Sequence, residues 1–137
     1  MTIKKISHIA IVVPELAQAL TFWVDVLGLQ LQRIEHEEEQ GVEAAFLPVG
    51  ESEIELLQPF EQDSGVARYL EKRGPGMHHI CFEVDDIEAT LEQLADAGVA
   101  LINTEAIMGN DGRKLAFVHP KDAGGVLIEL YESPGEG

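Results

Sequence analysis

Four residues whose side chains can bind a metal occur at matching places in the two halves of the chain. Two are histidines, His8 and His79, each within a run of alternating apolar residues. The others are Gln58, in ELLQP, and Glu129, in LIELY, and the members of each matching pair are 71 positions apart. Two imidazoles, one carboxylate and one amide oxygen form a mixed nitrogen and oxygen donor set. Such a set suits a divalent first-row metal better than Ca²⁺ or Mg²⁺.

The same spacing runs through a longer internal repeat. When residues 8–13 are placed on residues 79–84, Leu20 falls on Leu91. Each repeat shows one order of patterns: an alternation typical of a strand, a spacing typical of a helix, a glycine, and three more strand-like runs. This order predicts two tandem β-α-β-β-β modules, and neither would bury much apolar surface alone. We therefore expect an α+β fold in which the modules pair into one curved mixed sheet.

The boundaries follow from the same patterns. We expect strands at residues 6–13, 30–36, 42–48, 53–58, 78–84, 101–105, 114–119 and 125–131, and helices over 14–27 and 85–97. Module 1 then covers about residues 5–60 and module 2 about residues 76–132, within one domain over 1–137. A short helix capped by Ser64 and a Gly74-Pro75-Gly76 hinge join them.

The alternation also predicts which way each histidine points. Because successive side chains of a strand lie on opposite faces, His8 lies opposite to the helix-facing Ile9 and Ile11. By the same argument His79 points away from the helix of its module, whereas His78 points towards that helix. A pseudo-twofold axis between the modules would bring His8, Gln58, His79 and Glu129 together in the concavity of the sheet.

Composition excludes several other classes of protein. The formal net charge is −16, so the chain lacks the clustered cations that nucleic acid or an anionic membrane would require. The acidic residues Glu35, Glu37, Glu38 and Glu39 are expected to form a solvated loop. A single cysteine, Cys81, excludes an internal disulfide and fits a reducing cytoplasm. No apolar run reaches the ~18 residues of a membrane span, and we expect no signal peptide.

Four segments of the chain occur together in one known family: SHIAIVVPEL, GMHHICFEVDDI, ELLQP and HPKDAGGVLIEL. They resemble the methylmalonyl-CoA epimerases of the vicinal oxygen chelate superfamily, which includes glyoxalase I. The resemblance extends from about residue 5 to residue 131. It implies a glyoxalase-like fold and a metal site formed by His8, His79 and Glu129, with Gln58 as the fourth ligand. The metal implied is one divalent ion per chain, most often Co²⁺.

The resemblance also implies a reaction, the epimerisation of methylmalonyl-CoA at C2 through an enolate. One base removes the C2 proton and a second returns it on the opposite face. Glu129 is the candidate for one base, and Glu43 for the other. If Ala44 instead holds the position of the family's carboxylate, Glu43 points away from the metal, and a water or another residue must serve.

Binding partners follow from the substrate. Coenzyme A is a polyanion, so we expect Lys114 and Lys121 to contact its phosphates and Ser64 to contact the free carboxylate. As in the family, a homodimer is expected. Two alternatives stay open: a glyoxalase I-type isomerase, which has an acidic residue at the position assigned to Gln58, and a metal-free ligand-binding module of the same fold.

Overall fold

The computed structural model describes residues 2–109 and 111–133. By its internal contacts the chain divides into two units. The first unit comprises residues 8–78, and the second comprises the described residues of 1–7 and 79–137. Strand β1 (Ile3–Val12) supplies residues to both units, and so does the strand over Gly76–Val84.

The elements of the first unit follow the predicted order. They are the end of β1, α1 (Leu16–Leu20) with a π-helical continuation (Thr21–Val26), β2 (Arg33–Glu37), β3 (Val42–Val49), β4 (Ser52–Pro59) and α2 (Gly65–Arg73). The strand order is β2-β3-β4-β1, with β4 parallel to β1 and antiparallel to β3. The expected helix over 14–27 is therefore present, although its second half has π-helical geometry.

The two faces of this sheet carry different side chains. On one face, α1 packs on a cluster that includes Ala45, Leu47 and Leu56. The opposite face, which carries His8, contains a second cluster formed by Ala10, Val12, Val42, Ala44, Phe46, Leu57 and Val66. Val66 belongs to α2, so that helix covers part of this second face. We call this second face of the sheet the His8 face.

The second unit repeats the arrangement. Its elements are the start of β1, β5 (Gly76–Val84), α3 (Ile87–Asp96), β6 (Ile107–Met108), β7 (Lys114–Val118), a 3₁₀ turn (Pro120–Asp122) and β8 (Leu127–Glu132). The strands lie in the order β1-β5-β8-β7-β6, with β5 and β8 parallel. Helix α3 packs on Val84, Ala116, Val118 and Leu130. The α+β class and the mixed sheet expected from the sequence are confirmed.

Short polar side chains begin two of the helices. Ser64 Oγ accepts a hydrogen bond from Ala67 N at 3.0 Å, and Asp86 Oδ1 accepts one from Ala89 N at 3.0 Å. Each bond satisfies a backbone N–H group that has no partner within its own helix. None of the helices in the described part of the chain is long and apolar enough to cross a lipid bilayer.

One predicted strand is wrong. Residues 101–105 do not form a strand: Leu101 makes a single bridge with Val118, and the strand that pairs with β7 is the two-residue β6. The Asn103 side chain is the reason, because its Oδ1 accepts a hydrogen bond from Phe117 N at 2.8 Å. An amide side chain thus occupies a backbone donor that a longer strand would use.

Truncation of a core residue tests the α1-facing cluster. Leu56 is fully buried there, so Leu56→Ala should lower the free energy of unfolding by about 2–5 kcal/mol through lost apolar contact and a residual cavity. Val26 is 73% exposed, and Val26→Ala should change the free energy of unfolding by no more than about 0.5 kcal/mol. Urea denaturation measures both, and equal effects would show that this cluster does not dominate the stability.

Candidate functional site

In the first unit, His8 lies beside a glutamate on the neighbouring strand. His8 Nε2 and Glu55 Oε2 are 3.8 Å apart, and each side chain is 17% exposed. The parallel pairing of β1 and β4 explains the contact: Glu55 is opposite Ala10, two residues after His8 and on the same face. Ala10 is small and fully buried, so the glutamate side chain has space to reach back to the imidazole.

The second unit contains an equivalent pair. His79 Nε2 and Glu129 Oε1 are 3.3 Å apart, and the side chains are 13% and 12% exposed. Glu129 is opposite Cys81 in the pairing of β5 and β8, again two residues after the histidine and next to a small, fully buried side chain. Cys81 therefore occupies the position that Ala10 has in the first unit, as the repeat predicts.

Each pair has the chemistry and spacing of two neighbouring metal ligands. With metal–ligand bonds of ~2.1 Å, adjacent donor atoms around an octahedral ion lie about 3 Å apart. The separations of 3.3 Å and 3.8 Å are near that value. Imidazole nitrogen and carboxylate oxygen are ligands that first-row divalent metals accept together. The residues present therefore fit such an ion.

The predicted equivalence of Gln58 and Glu129 is wrong. Gln58 lies on the α1 side of its sheet, where its Oε1 accepts a hydrogen bond from Leu16 N at 2.6 Å. The corresponding residue of the second unit is Glu132, whose Oε2 accepts from Ile87 N at 3.0 Å. Both side chains satisfy the first N–H group of a helix. Gln58 thus stabilises α1 and points away from the His8 face.

The wrong equivalence results from a difference in loop length between the two repeats. His8 and His79 are 71 positions apart, but Glu55 and Glu129 are 74 apart, because the β7–β8 connection is longer and contains the turn at Pro120–Asp122. A constant offset therefore pairs Glu129 with the wrong residue. The alternation within ELLQP could have identified Glu55, since it shares a face with Leu57 and not with Gln58.

The predicted base Glu43 is also misplaced. Glu43 pairs with Gln58 across β3 and β4, so it lies on the α1 side, and Ala44 is the residue on the His8 face. The Glu43 carboxylate forms a short contact with His36, and this hydrogen bond raises the pKa of the His36 imidazole. Glu43 is therefore part of an exposed ion pair on the opposite side of the sheet.

The other residues that the sequence singled out have partners that the sequence did not show. The His78 ring packs edge-to-face on Tyr69, at 5.2 Å between centroids, which agrees with its exclusion from the metal set. Ser64 uses its hydroxyl to cap α2. Lys114 Nζ is 2.5 Å from Glu88 Oε1 on an exposed surface. Lys121 N donates to His119 Nδ1 within the turn after β7.

Sequence reasoning missed a group of charged residues on the His8 face. Glu35 and Glu37 belong to strand β2 and not to a solvated loop, and with Arg33 they pair with the His8-face residues of β3. The Arg33 guanidinium lies 3.9 Å from the centre of the Phe46 ring. Its Nε is 2.7 Å from Glu35 Oε1, and its Nη1 is 4.0 Å from Glu53 Oε2. The strand expected at 30–36 is thus present at Arg33–Glu37, and the run of glutamates concealed only that its charged side chains lie on this face.

The first comparison with known proteins defines the class. Residues 7–117 match the pattern of the Glyoxalase/Bleomycin resistance protein/Dioxygenase superfamily. This match covers most of the chain and agrees with the repeated β-α-β-β-β order described above. The expected glyoxalase-like class is therefore confirmed.

Two named relatives and one solved structure indicate the family within this superfamily. The chain is 39% identical to the mitochondrial methylmalonyl-CoA epimerase of Mus musculus over 94% of its own length and 73% of that protein. It is 38% identical to an ethylmalonyl-CoA/methylmalonyl-CoA epimerase of Cereibacter sphaeroides, over 95% of this chain and 98% of that one. A variant of the Streptomyces coelicolor methylmalonyl-CoA epimerase, solved with 2-nitronate-propionyl-CoA, superposes with a TM-score of 0.83 at 36% identity. That match covers 98% of this chain and 97% of the other.

The chain thus belongs to the methylmalonyl-CoA epimerase family of this superfamily. It is an enzyme of the epimerase class of isomerases.

Substitution of Gln58 tests its structural role. Gln58→Ala should lower the free energy of unfolding by about 0.5–2 kcal/mol, because Leu16 N loses its acceptor at the start of α1. Gln18→Ala, on the exposed side of the same helix, is the matched control and should have little effect. Gln58→Glu keeps an acceptor oxygen and should therefore retain most of the stability that Gln58→Ala loses. A Gln58→Ala variant of normal stability would refute the capping role.

Proposed function

We propose that this chain epimerises methylmalonyl-CoA at C2 with the help of one divalent metal ion. The observation that carries the proposal is the pair of equivalent histidine–glutamate contacts, His8 with Glu55 and His79 with Glu129. Membership of the epimerase family supports the reaction. The names of the two relatives and the coenzyme A thioester analogue bound to the Streptomyces enzyme support the substrate.

The family resemblance implies that both pairs contribute ligands to one ion. His8, His79 and Glu129 are the ligands implied by the sequence, and Glu55 takes the place expected for Gln58. We propose Co²⁺ as the metal, as the family resemblance implies; a donor set of imidazole and carboxylate without thiolate fits first-row divalent ions. When bound, the ion supplies positive charge that stabilises the developing negative charge of the enolate.

Side chains of the protein then transfer the C2 proton of the substrate. C2 of methylmalonyl-CoA lies between a thioester and a carboxylate, so its proton is weakly acidic and can be removed by a carboxylate base held next to it. Inversion requires a second group that returns a proton to the other side of C2. Glu129 is the first candidate, since its side chain is largely buried and already held against His79. Glu43 cannot be the second, because it points to the α1 side.

Contacts to coenzyme A remain part of the proposal. Lys121 and Lys114 are the candidates for its phosphates, although Lys114 must exchange its contact with Glu88 for a phosphate oxygen. Ser64 would contact the free carboxylate of the substrate while its hydroxyl also caps α2. The homodimer and the cytoplasmic location expected from the sequence stay predictions.

A glyoxalase I-type isomerase is the second candidate. One observation favours it: the residue beside His8 is the acidic Glu55 and not the amide Gln58. An acidic residue was the expected mark of glyoxalase I at that position. Family membership favours the epimerase, and the substrate test below separates the two reactions.

Metal content tests the ligand set directly. Elemental analysis of the purified protein should find about one divalent ion per chain. His8→Ala, His79→Ala and Glu129→Ala should each weaken Co²⁺ binding by more than ~10-fold in calorimetric titration, since each removes a donor atom. Glu55→Gln should weaken it less, because an amide oxygen can still bind.

His78→Ala is the matched control, as it removes an imidazole from the adjacent position. It should leave the affinity for Co²⁺ unchanged. Strong binding by the His79 variant together with loss in the His78 variant would show that the assignment of faces is wrong.

The reaction itself is tested with one epimer of methylmalonyl-CoA in D₂O and added Co²⁺. The wild-type chain should invert C2 and incorporate deuterium there, which NMR and chiral analysis measure. Glu129→Gln should abolish inversion, and its metal content must be measured in parallel. Absence of C2 exchange, combined with isomerisation of the glutathione hemithioacetal of methylglyoxal, would reject the epimerase in favour of glyoxalase I.

A further inference from the structure

The substrate of the proposed reaction is a polyanion, whereas the chain has a formal net charge of −16. Cations that offset this repulsion must lie close to the site, because salt screens exposed charges beyond a Debye length of ~8 Å. The sequence assigned the task to Lys114 and Lys121. The second unit also contains one arginine, Arg113, and its surroundings differ from those of both lysines.

Arg113 lies on the same face of its sheet as the His79–Glu129 pair. Helix α3 contacts Leu130, so Glu129 and Tyr131, its neighbours along β8, lie on the opposite face. The guanidinium carbon of Arg113 is 5.3 Å from the centre of the Tyr131 ring. Tyr131 is two residues beyond Glu129, a step of ~6.5 Å along the strand. The arginine is therefore separated from the proposed metal ligand by one side chain.

The lysine that follows Arg113 points to the other face. Lys114 shares a face of β7 with Ala116, which belongs to the cluster under α3. Lys114 Nζ accordingly lies 2.5 Å from Glu88 Oε1 on that helix. Strand alternation thus places Arg113, and not Lys114, on the face of Glu129.

A short network fixes the arginine and the aromatic ring relative to each other. Asp111 Oδ1 accepts a hydrogen bond from Arg113 N at 3.0 Å, and Asp111 Oδ2 accepts one from the Tyr131 hydroxyl. On the other side of the turn, Gly109 N donates to Arg113 O at 2.7 Å. Such prior ordering reduces the conformational entropy that is lost when a ligand binds.

The hydrogen-bond donors of the Arg113 guanidinium have no acidic partner. Within residues 2–109 and 111–133, no carboxylate forms an ion pair with it, whereas Arg33 contacts both Glu35 and Glu53. A guanidinium over an aromatic ring is attracted through the face of the ring. Its five N–H donors lie in its own plane, where they can bind two oxygens of a carboxylate or phosphate at once.

We propose that Arg113 binds an anionic group of the acyl-CoA substrate beside Glu129. This inference rests on the proposed function. The group is one with two acceptor oxygens, which the free carboxylate and the phosphates of coenzyme A both provide. Tyr131 and Asp111 are the positioning residues that hold the guanidinium on this face.

The first test measures the KM of the Co²⁺-loaded chain for methylmalonyl-CoA. Arg113→Gln should raise it by about 10–100-fold, the usual effect of losing a charge-assisted pair of hydrogen bonds, at unchanged melting temperature and affinity for Co²⁺. Arg113→Lys keeps the charge and should recover part of the loss. Arg73→Gln is the matched control, since Arg73 also lies over a tyrosine ring, 5.7 Å from the centre of Tyr69, and it should leave the KM unchanged.

Two probes then identify the anionic group. Propionyl-CoA has the phosphates but no free carboxylate, and its binding is measured by calorimetry without turnover. The methylmalonyl thioester of N-acetylcysteamine has the carboxylate but no phosphate, and its kcat/KM is measured. If Arg113 binds a phosphate, Arg113→Gln weakens propionyl-CoA binding alone; if it binds the carboxylate, only the kcat/KM of the second probe falls.

The outcomes separate this inference from the proposed function. A KM of Arg113→Gln within about twofold of the wild-type value would overturn the role of Arg113 and leave the epimerase intact. Losses of melting temperature, or equal losses with both probes, would also overturn it, because they indicate a distorted site and not one missing contact. If the wild-type chain does not turn over methylmalonyl-CoA, the proposed function fails, and this inference fails with it.

Discussion

The parallel pairing between the first and last strand of each β-α-β-β-β repeat is the constraint on which the rest of the structure depends. It sets Glu55 opposite Ala10 and Glu129 opposite Cys81, two residues beyond each histidine. A shift of the register by one residue would move every side chain of the strand to the other face. The glutamate would then lie under the helix, and the histidine would lose its carboxylate neighbour. The fully buried core residues on both faces of the first unit oppose such a shift, because it would expose them.

The same register gives neighbouring polar residues different tasks. Three residues beyond Glu55, on the opposite face, Gln58 reaches the first N–H group of α1, and Glu132 does the same for α3 three residues beyond Glu129. A polar side chain at the end of the last strand thus fixes where each helix begins. Since an unsatisfied N–H group costs about 1–3 kcal/mol, these contacts help to hold helix and sheet in one register. The position of the histidine–glutamate pair and the start of the helix are therefore set by one strand pairing.

The features that the sequence predicts well depend on local alternation. The orientation of His8 and His79, the helices after each first strand and the capping by Ser64 all follow from patterns within a dozen residues. The Gln58 assignment failed because it required a register between strands about 50 residues apart, and the longer β7–β8 connection changed the offset. The strand at 101–105 failed because no propensity reveals that Asn103 will bond to Phe117 N. The strand expected at 30–36 is present over Arg33–Glu37, but the charged face of β2 was missed because four glutamates among five residues resemble a solvated loop.

The distribution of charge on the first unit explains how so acidic a face can be stable. Arg33 lies over Phe46 and approaches both Glu35 and Glu53, so one cation offsets two carboxylates along β2 and β4. His8 Nε2 lies 3.8 Å from a third carboxylate, that of Glu55. The pKa of the Glu37 carboxyl, which has no cation in contact, is raised by burial and by the charge of Glu35, against the opposing effects of Arg33 and His8. This sheet face can therefore carry a high density of carboxylates because one guanidinium is shared between groups on β2 and β4.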